Sequence, residues 1–118
     1  MAVKENKIWT VDTLAECGDA RSAMLFLDFS IASVRAQGGR VIRLIHGSAE
    51  EGEGRGKIRE RLRTFLRRAK AQKRISFFIP GELLTPESDE LLYLLETSDL
   101  DKQDLPKVAD GRVTYIYL

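Results

Sequence analysis

The feature that most limits what this chain can become is residues 40–45, Arg-Val-Ile-Arg-Leu-Ile, a strand-like run held between two segments of helical period. Aliphatic and β-branched density of this kind reads as a strand with a central place in its sheet. Before it, Asp19 is a good N-cap for a helix through residue 36, with Ala23, Leu27, Ile31 and Val34 on one face and Gly38-Gly39 as the stop. After it, Gly56 leads into a long helix through residue 71, whose buried stripe is Ile58, Leu62, Phe65, Leu66 and Ala69. Residues 7–13 alternate apolar and polar side chains and read as another strand. Residues 74–79 supply a third, stopped by Pro80-Gly81, and 112–118 the last.

The order is therefore β-α-β-α-β, an insertion at 82–110, and β. It predicts a two-layer α/β sandwich on a mixed four-stranded sheet. Helical crossovers favour parallel pairing of the first two or three strands, with the last antiparallel beside them. At 118 residues the chain has the usual size of one domain, so 1–118 is read as a single domain carrying the insertion. The insertion is acidic, with a short helix at 87–96 capped from Thr85 or Ser88.

Several classes of function drop out. No run of about 18 apolar residues could span a bilayer, and the first residues lack the apolar stretch of a secretory signal. The expectation is a soluble, cytoplasmic protein with no membrane partner. A single cysteine, Cys17, and a single histidine, His46, leave no internal disulfide and no dense zinc cluster. No cofactor is called for, and a divalent metal, if one is used, would rest on carboxylates.

Net charge is only +1, but its distribution is uneven. Residues 55–74 carry ten Lys or Arg against one acid, Glu60, while residues 82–110 carry nine acids against Lys102 and Lys107. On the second helix Arg59, Arg63, Arg67 and Lys70 share a face, with Lys57, Arg61 and Arg68 further round. Such a face can track a nucleic-acid backbone. It can equally be a solvated face, or one neutralised in cis by the acidic insertion. No aromatic residues interleave with these cations, so no stacking platform is evident.

The first helix has a second apolar surface, Leu25, Phe26, Phe29 and Ala32, away from its core stripe. Something should cover it: the apolar segment 91–95 of the insertion, or a second copy of the chain in a homodimer through Leu25, Phe29 and the insertion.

His46 follows an apolar strand and precedes Gly47, which places it at the carboxyl end of the sheet, where α/β proteins tend to build sites. A neutral imidazole there can take a proton near pH 7, as activating a 2′-hydroxyl or water against a phosphodiester requires. It can also simply hydrogen-bond its loop. The glycines after it leave backbone N–H groups free, and the helix at Gly56 points its positive end towards the same region, which suits phosphate. A Walker A loop is excluded, since only three residues separate Gly52 and Gly56 and Ile58 stands where a magnesium-binding hydroxyl belongs.

The run Val41-Ile42-Arg43-Leu44-Ile45-His46-Gly47, a glycine-rich loop, then Gly56-Lys57-Ile58-Arg59 with Leu62, Phe65 and Leu66, resembles the Smr (small MutS-related) domain family. That family typically shows an Ile-Ile-His-Gly-x-Gly turn and a Gly-x-Leu-Arg-x-x-Val-x-x-Trp-Leu helix. The likeness extends back through Ala23, Leu27 and Ile31 and forward to the last strand. It implies the family's sandwich, similar to the C-terminal domain of translation initiation factor three, and nucleic-acid work on DNA or RNA, since members nick DNA or cleave RNA. On that reading His46 is a general base, and Asp12 or Glu16 orients it or binds a metal. Gly47, Arg55, Lys57, Arg59, Arg63 and Arg67 would hold the backbone. Three departures mark the chain as divergent. The family's Leu-Asp-Leu-His-Gly motif has no histidine here, whether Cys17 or the Val11-Asp12-Thr13-Leu14 stretch is aligned to it; Ala49 replaces the second glycine after His46; and the insertion is long for the family.

Overall fold

The computed structural model describes residues 2–47, 52–105 and 109–118, with the backbone alone at 52–57. The polypeptide runs β1 Val3–Glu5, β2 Ile8–Asp12, α1 Thr13–Glu16, α2 Ala20–Ala36, β3 Val41–Ile45, α3 Gly52–Ala71, β4 Phe77–Pro80, α4 Asp89–Thr97 and β5 Val113–Tyr117, with short 3-10 turns at Gly81–Leu83 and Lys102–Asp104.

The sheet is mixed, as the sequence leads one to expect, but it has five strands, in the order β1-β2-β3-β5-β4. β2 and β3 pair in parallel, Asp12 beside Ile45, and β5 is antiparallel to both β3 and β4. β3 thus lies at the centre. The unexpected strand, β1, pairs antiparallel with β2 across a turn in which Asn6 takes a left-handed φ of 56°, a conformation Asn tolerates better than most residues.

Pleating sends alternate residues to opposite faces. Val11, Ile42, Leu44, Ile116 and Leu118 face α2 and α3, whose stripes Ala23, Leu27, Ile31, Val34 and Ile58, Leu62, Leu66, Ala69 are buried there. Asp19 caps α2 by accepting the Ser22 N–H at 2.7 Å. Gly39 comes so near β2 that a Cβ would lie 2.6 Å from the Trp9 indole nitrogen, and only glycine allows that approach.

The opposite face carries Ile8, Val41, Phe77, Ile79, Val113 and Tyr115. The insertion covers it, Leu84, Leu91, Leu94, Leu100 and Leu105 completing a second core. Segment 91–95 therefore does not reach Leu25 and Phe29, one of the two covers the sequence suggested. The insertion is held at its ends: the Asp110 N–H donates to the Gly81 carbonyl at 3.2 Å, and a Cβ on Gly81 would sit 2.2 Å from the Asp110 oxygen. Helix α3 begins at Gly52, a turn earlier than the glycines suggest. Residues 48–51 of the expected phosphate loop, and the side chains of Arg55 and Lys57, lie outside the described residues.

Candidate nucleic-acid interface

The carboxyl ends of β2 and β3 bring Asp12 and His46 to one end of the sheet, but not into contact. The Asp12 carboxylate caps α1, accepting the Ala15 N–H at 2.9 Å. Thr13 donates its hydroxyl to the Ile45 carbonyl at 2.8 Å, tying α1 to the end of β3. Glu16 is exposed on α1 and Cys17 half-buried just after it. Burial, with Glu16 and Asp19 nearby, pushes the Cys17 thiol up, which keeps it protonated and unreactive.

His46 is fully buried, and both ring nitrogens are engaged. Nδ1 lies 2.8 Å from the Gly47 carbonyl, which can only accept, so Nδ1 carries the proton. The left-handed φ of 85° at Gly47 belongs to the same turn. Nε2, 2.8 Å from Thr114 Oγ1, then accepts the threonine proton. Burial pushes the imidazole down to about 4, with Arg63 and Arg59 acting in the same direction against the Gly47 carbonyl and Glu82. The ring is therefore neutral at pH 7 yet presents no nitrogen to water. This is the loop-bonding role open to it from the outset, rather than that of a base facing a substrate.

The network continues into α3. Thr114 Oγ1 accepts from Arg63 Nε at 3.3 Å, and the two terminal nitrogens of Arg63 donate to the two oxygens of Glu82 at 2.8 and 2.6 Å. Burial pushes the Glu82 carboxyl up, but the Arg63 hydrogen bonds and charge more than reverse this and leave it below the usual range. The assignment of Arg63 to the nucleic-acid backbone is thus corrected: at 6% exposure and gripped on both sides, it is a structural residue. Arg59 is half-buried, donating to Glu60 at 3.1 Å and to the Gly111 carbonyl at 3.4 Å. Glu82 is the one insertion acid that pairs with α3 among the described residues.

The rest of the helix differs. Arg61, Arg67, Arg68 and Lys70 are exposed. Among the described residues, none has a carboxylate within ion-pair distance. Beyond Glu82 at its root, the described part of the insertion packs on the far face of the sheet, away from these cations. Of the three described arginines singled out for the backbone, only Arg67 belongs to this set. Arg61 and Arg68, which the sequence puts further round the helix, complete it with Lys70.

A second feature was not singled out in the sequence. A cleft of about 330 Å³ opens at the carboxyl end of β3, walled by Leu14, Ile45, Val113 and Tyr115 with Arg43 and Arg112 beside them. Arg43 donates to Thr10 Oγ1 at 3.1 Å, while its Nε is buried without a hydrogen-bond partner. Burial pushes the Tyr115 hydroxyl up against the opposing pull of Arg43, so it stays a donor. The signal was available: an arginine in the middle of Val-Ile-Arg-Leu-Ile needs a polar environment on its side of the sheet. Among the described residues no three His, Cys, Asp or Glu side chains converge to hold a metal.

No protein-family model matches the chain, and no curated protein matches it. Among solved structures, the Smr domain of MutS2 from Thermus thermophilus is similar over 95% of this chain and 96% of its own, with a TM-score of 0.52 at 24% sequence identity. The fold is the Smr fold. No helix among the described residues is long and apolar enough to cross a membrane.

Proposed function

We propose that this chain, acting as one domain, binds DNA or RNA by gripping the phosphodiester backbone with the outer face of α3. The observation that carries this reading is the group of exposed cations Arg61, Arg67, Arg68 and Lys70, unpaired among the described residues on a fold whose sequence motifs also resemble the Smr family. Cations held clear of internal carboxylates are free to displace phosphate counterions. Arg55 and Lys57 extend the same helix towards its first turn. Arg112 lines the cleft, with Arg59 bonded to the neighbouring Gly111 carbonyl and the Gly47 N–H donating to the Arg112 carbonyl.

Phosphodiester cleavage, in this reading, falls to the acids at α1, Asp12 with Glu16, because His46 has both nitrogens occupied. A divalent metal held there would have to take most of its ligands from solvent or substrate.

The test is binding of labelled single-stranded RNA, duplex DNA and branched DNA at two salt concentrations, with the same samples run on a denaturing gel. Replacing Arg61, Arg67, Arg68 and Lys70 together by Ala should weaken binding by roughly 100-fold and flatten the salt dependence by about three to four in log–log slope. Unchanged affinity would overturn the interface. Nicking lost in Asp12→Asn would make the protein an endonuclease.

A second reading, a protein-interaction module, is favoured by one observation: Leu25 and Phe29 are 64% and 72% exposed.

A further inference from the structure

We propose that copies of this chain associate head to tail, with α4 of one molecule seated on the outer face of α2 and α3 of the next. This gives the interaction reading a partner; it shares Arg61 and Arg68 with the nucleic-acid reading, so a second copy and a nucleic acid would compete for them.

The first surface is apolar and cationic. Leu25 and Phe29, one turn apart on α2, project away from the stripe that α2 buries. Between the same two helices lies an open groove of about 320 Å³ lined by Met24 of α2 and by Glu60, Arg61, Thr64, Phe65 and Arg68 of α3. The nearby acids are already matched: Glu60 is bound by Arg59, and Asp28 by Arg74. The surface is left with net positive charge around an apolar centre.

The second surface has the converse character. On α4, Asp89, Leu92, Tyr93 and Glu96 fall at i, i+3, i+4 and i+7 and share one face, while Leu91 and Leu94 are buried on the other. Leu92 and Tyr93 are 49% and 52% exposed. Tyr93 is held by an edge contact to Phe77 with ring centroids 4.8 Å apart, so little freedom remains to lose on binding. Among the described residues the acids of α4 form no ion pair. An apolar pair flanked by carboxylates, on a helix, is the shape and charge that the α2/α3 groove accepts.

Within one chain these surfaces cannot meet, because α2 and α3 cover one face of the sheet and α4 the other. Neither surface suits its own copy: pairing the groove with itself would face Arg61 and Arg68 towards like charge, and pairing α4 with itself would do the same for Asp89 and Glu96. The contact is therefore between unlike surfaces, and every molecule carries one of each. Such a contact extends into open chains unless its rotation closes a ring.

The experiment is sedimentation velocity of the protein without nucleic acid over a wide concentration range, with two variants. Phe29→Asp puts a charge on the apolar face of α2 and leaves α4 intact; Leu92→Arg blocks α4 and leaves the α2/α3 surface intact. Both side chains are exposed, so thermal melting should match the parent and certify folding. The parent's average mass should rise past that of a dimer as concentration increases. Each variant alone should remain a monomer, and an equimolar mixture should double in mass and stop there, since one free groove meets one free α4. Leu92→Arg should still bind nucleic acid if α3 does so, which separates the two readings. A parent that stays monomeric throughout overturns the proposal. So does one that stops at a dimer, or a mixture that fails to pair.

Discussion

Arg63 and Arg67 stand one turn apart on the same helix, yet they occupy different physical worlds. Arg63 is buried, clamped by Glu82 and bonded to Thr114, and its charge supports a chain of hydrogen bonds ending at the Gly47 carbonyl. Arg67 is exposed and bonds only weakly to Thr64 of its own helix, at 3.4 Å. The difference comes from one carboxylate, which the turn after β4 aims at one side of α3 and not the other. Cationic helices cannot be judged by counting: position relative to the nearest acid separates arginines that hold a fold from those available to a ligand.

The inner side should reveal itself first through pH. Unfolded, the His46 imidazole takes a proton near its ordinary 6.5; folded, it refuses one until about 4. Stability is therefore complete above the unfolded value and is lost as pH falls through that window, by on the order of 3 kcal/mol. Urea unfolding at a series of pH values should show this slope. His46→Gln should flatten it, and an equal slope in that variant would detach the histidine from the network. Next in size, Arg63→Met leaves the partly exposed Glu82 with only Arg59, 3.9 Å away, and should cost about 2 kcal/mol, with part recovered in the Arg63→Met, Glu82→Gln double variant. No recovery would mean that the pair itself carries little. Thr114→Val, which removes the hydroxyl shared by His46 and Arg63, should cost about 1 kcal/mol. Smallest is the outer side: Arg67→Ala should lower nucleic-acid affinity by about threefold and its salt slope by about 0.9, without moving the melting temperature. A melting shift there would break the division between the two sides.

Much of this architecture could be read directly from residues. The Asp19 cap, the α2 stripe and the central place of β3 rest on local rules, and local rules held. β1 was missed because its three side chains are all exposed and carry no apolar pattern; Asn6 was its one available sign. The early start of α3 was hidden by Gly52 and Gly54, whose weak helix propensity did not prevent the helix from extending. The second layer over the sheet had a clearer signal: Val41 and Ile45 on one face, Ile42 and Leu44 on the other, a strand apolar on both sides that needs cover on both. That signal points the insertion to the far face of the sheet, against the expected cover of Leu25 and Phe29 by segment 91–95, whereas nothing local marks Arg63 as the partner of Glu82. That pairing depends on Gly81 pinning the insertion to Asp110, a contact between segments far apart in sequence.

The position of β5 between β3 and β4 bears on how the molecule is made. His46 and Thr114, joined through one hydrogen bond, are 68 positions apart. Until β5 arrives, β3 and β4 have no common neighbour, and both expose backbone that a strand should satisfy. Pairings between segments this far apart carry a loop-closure entropy that local pairings do not, and they slow folding accordingly. During that interval α2 and α3 can already dock on β2 and β3, while the insertion has only part of a sheet to rest on. The half-built molecule therefore has open edges at its centre rather than its rim, and a segment able to supply one strand in place of β5 would compete with folding at that step.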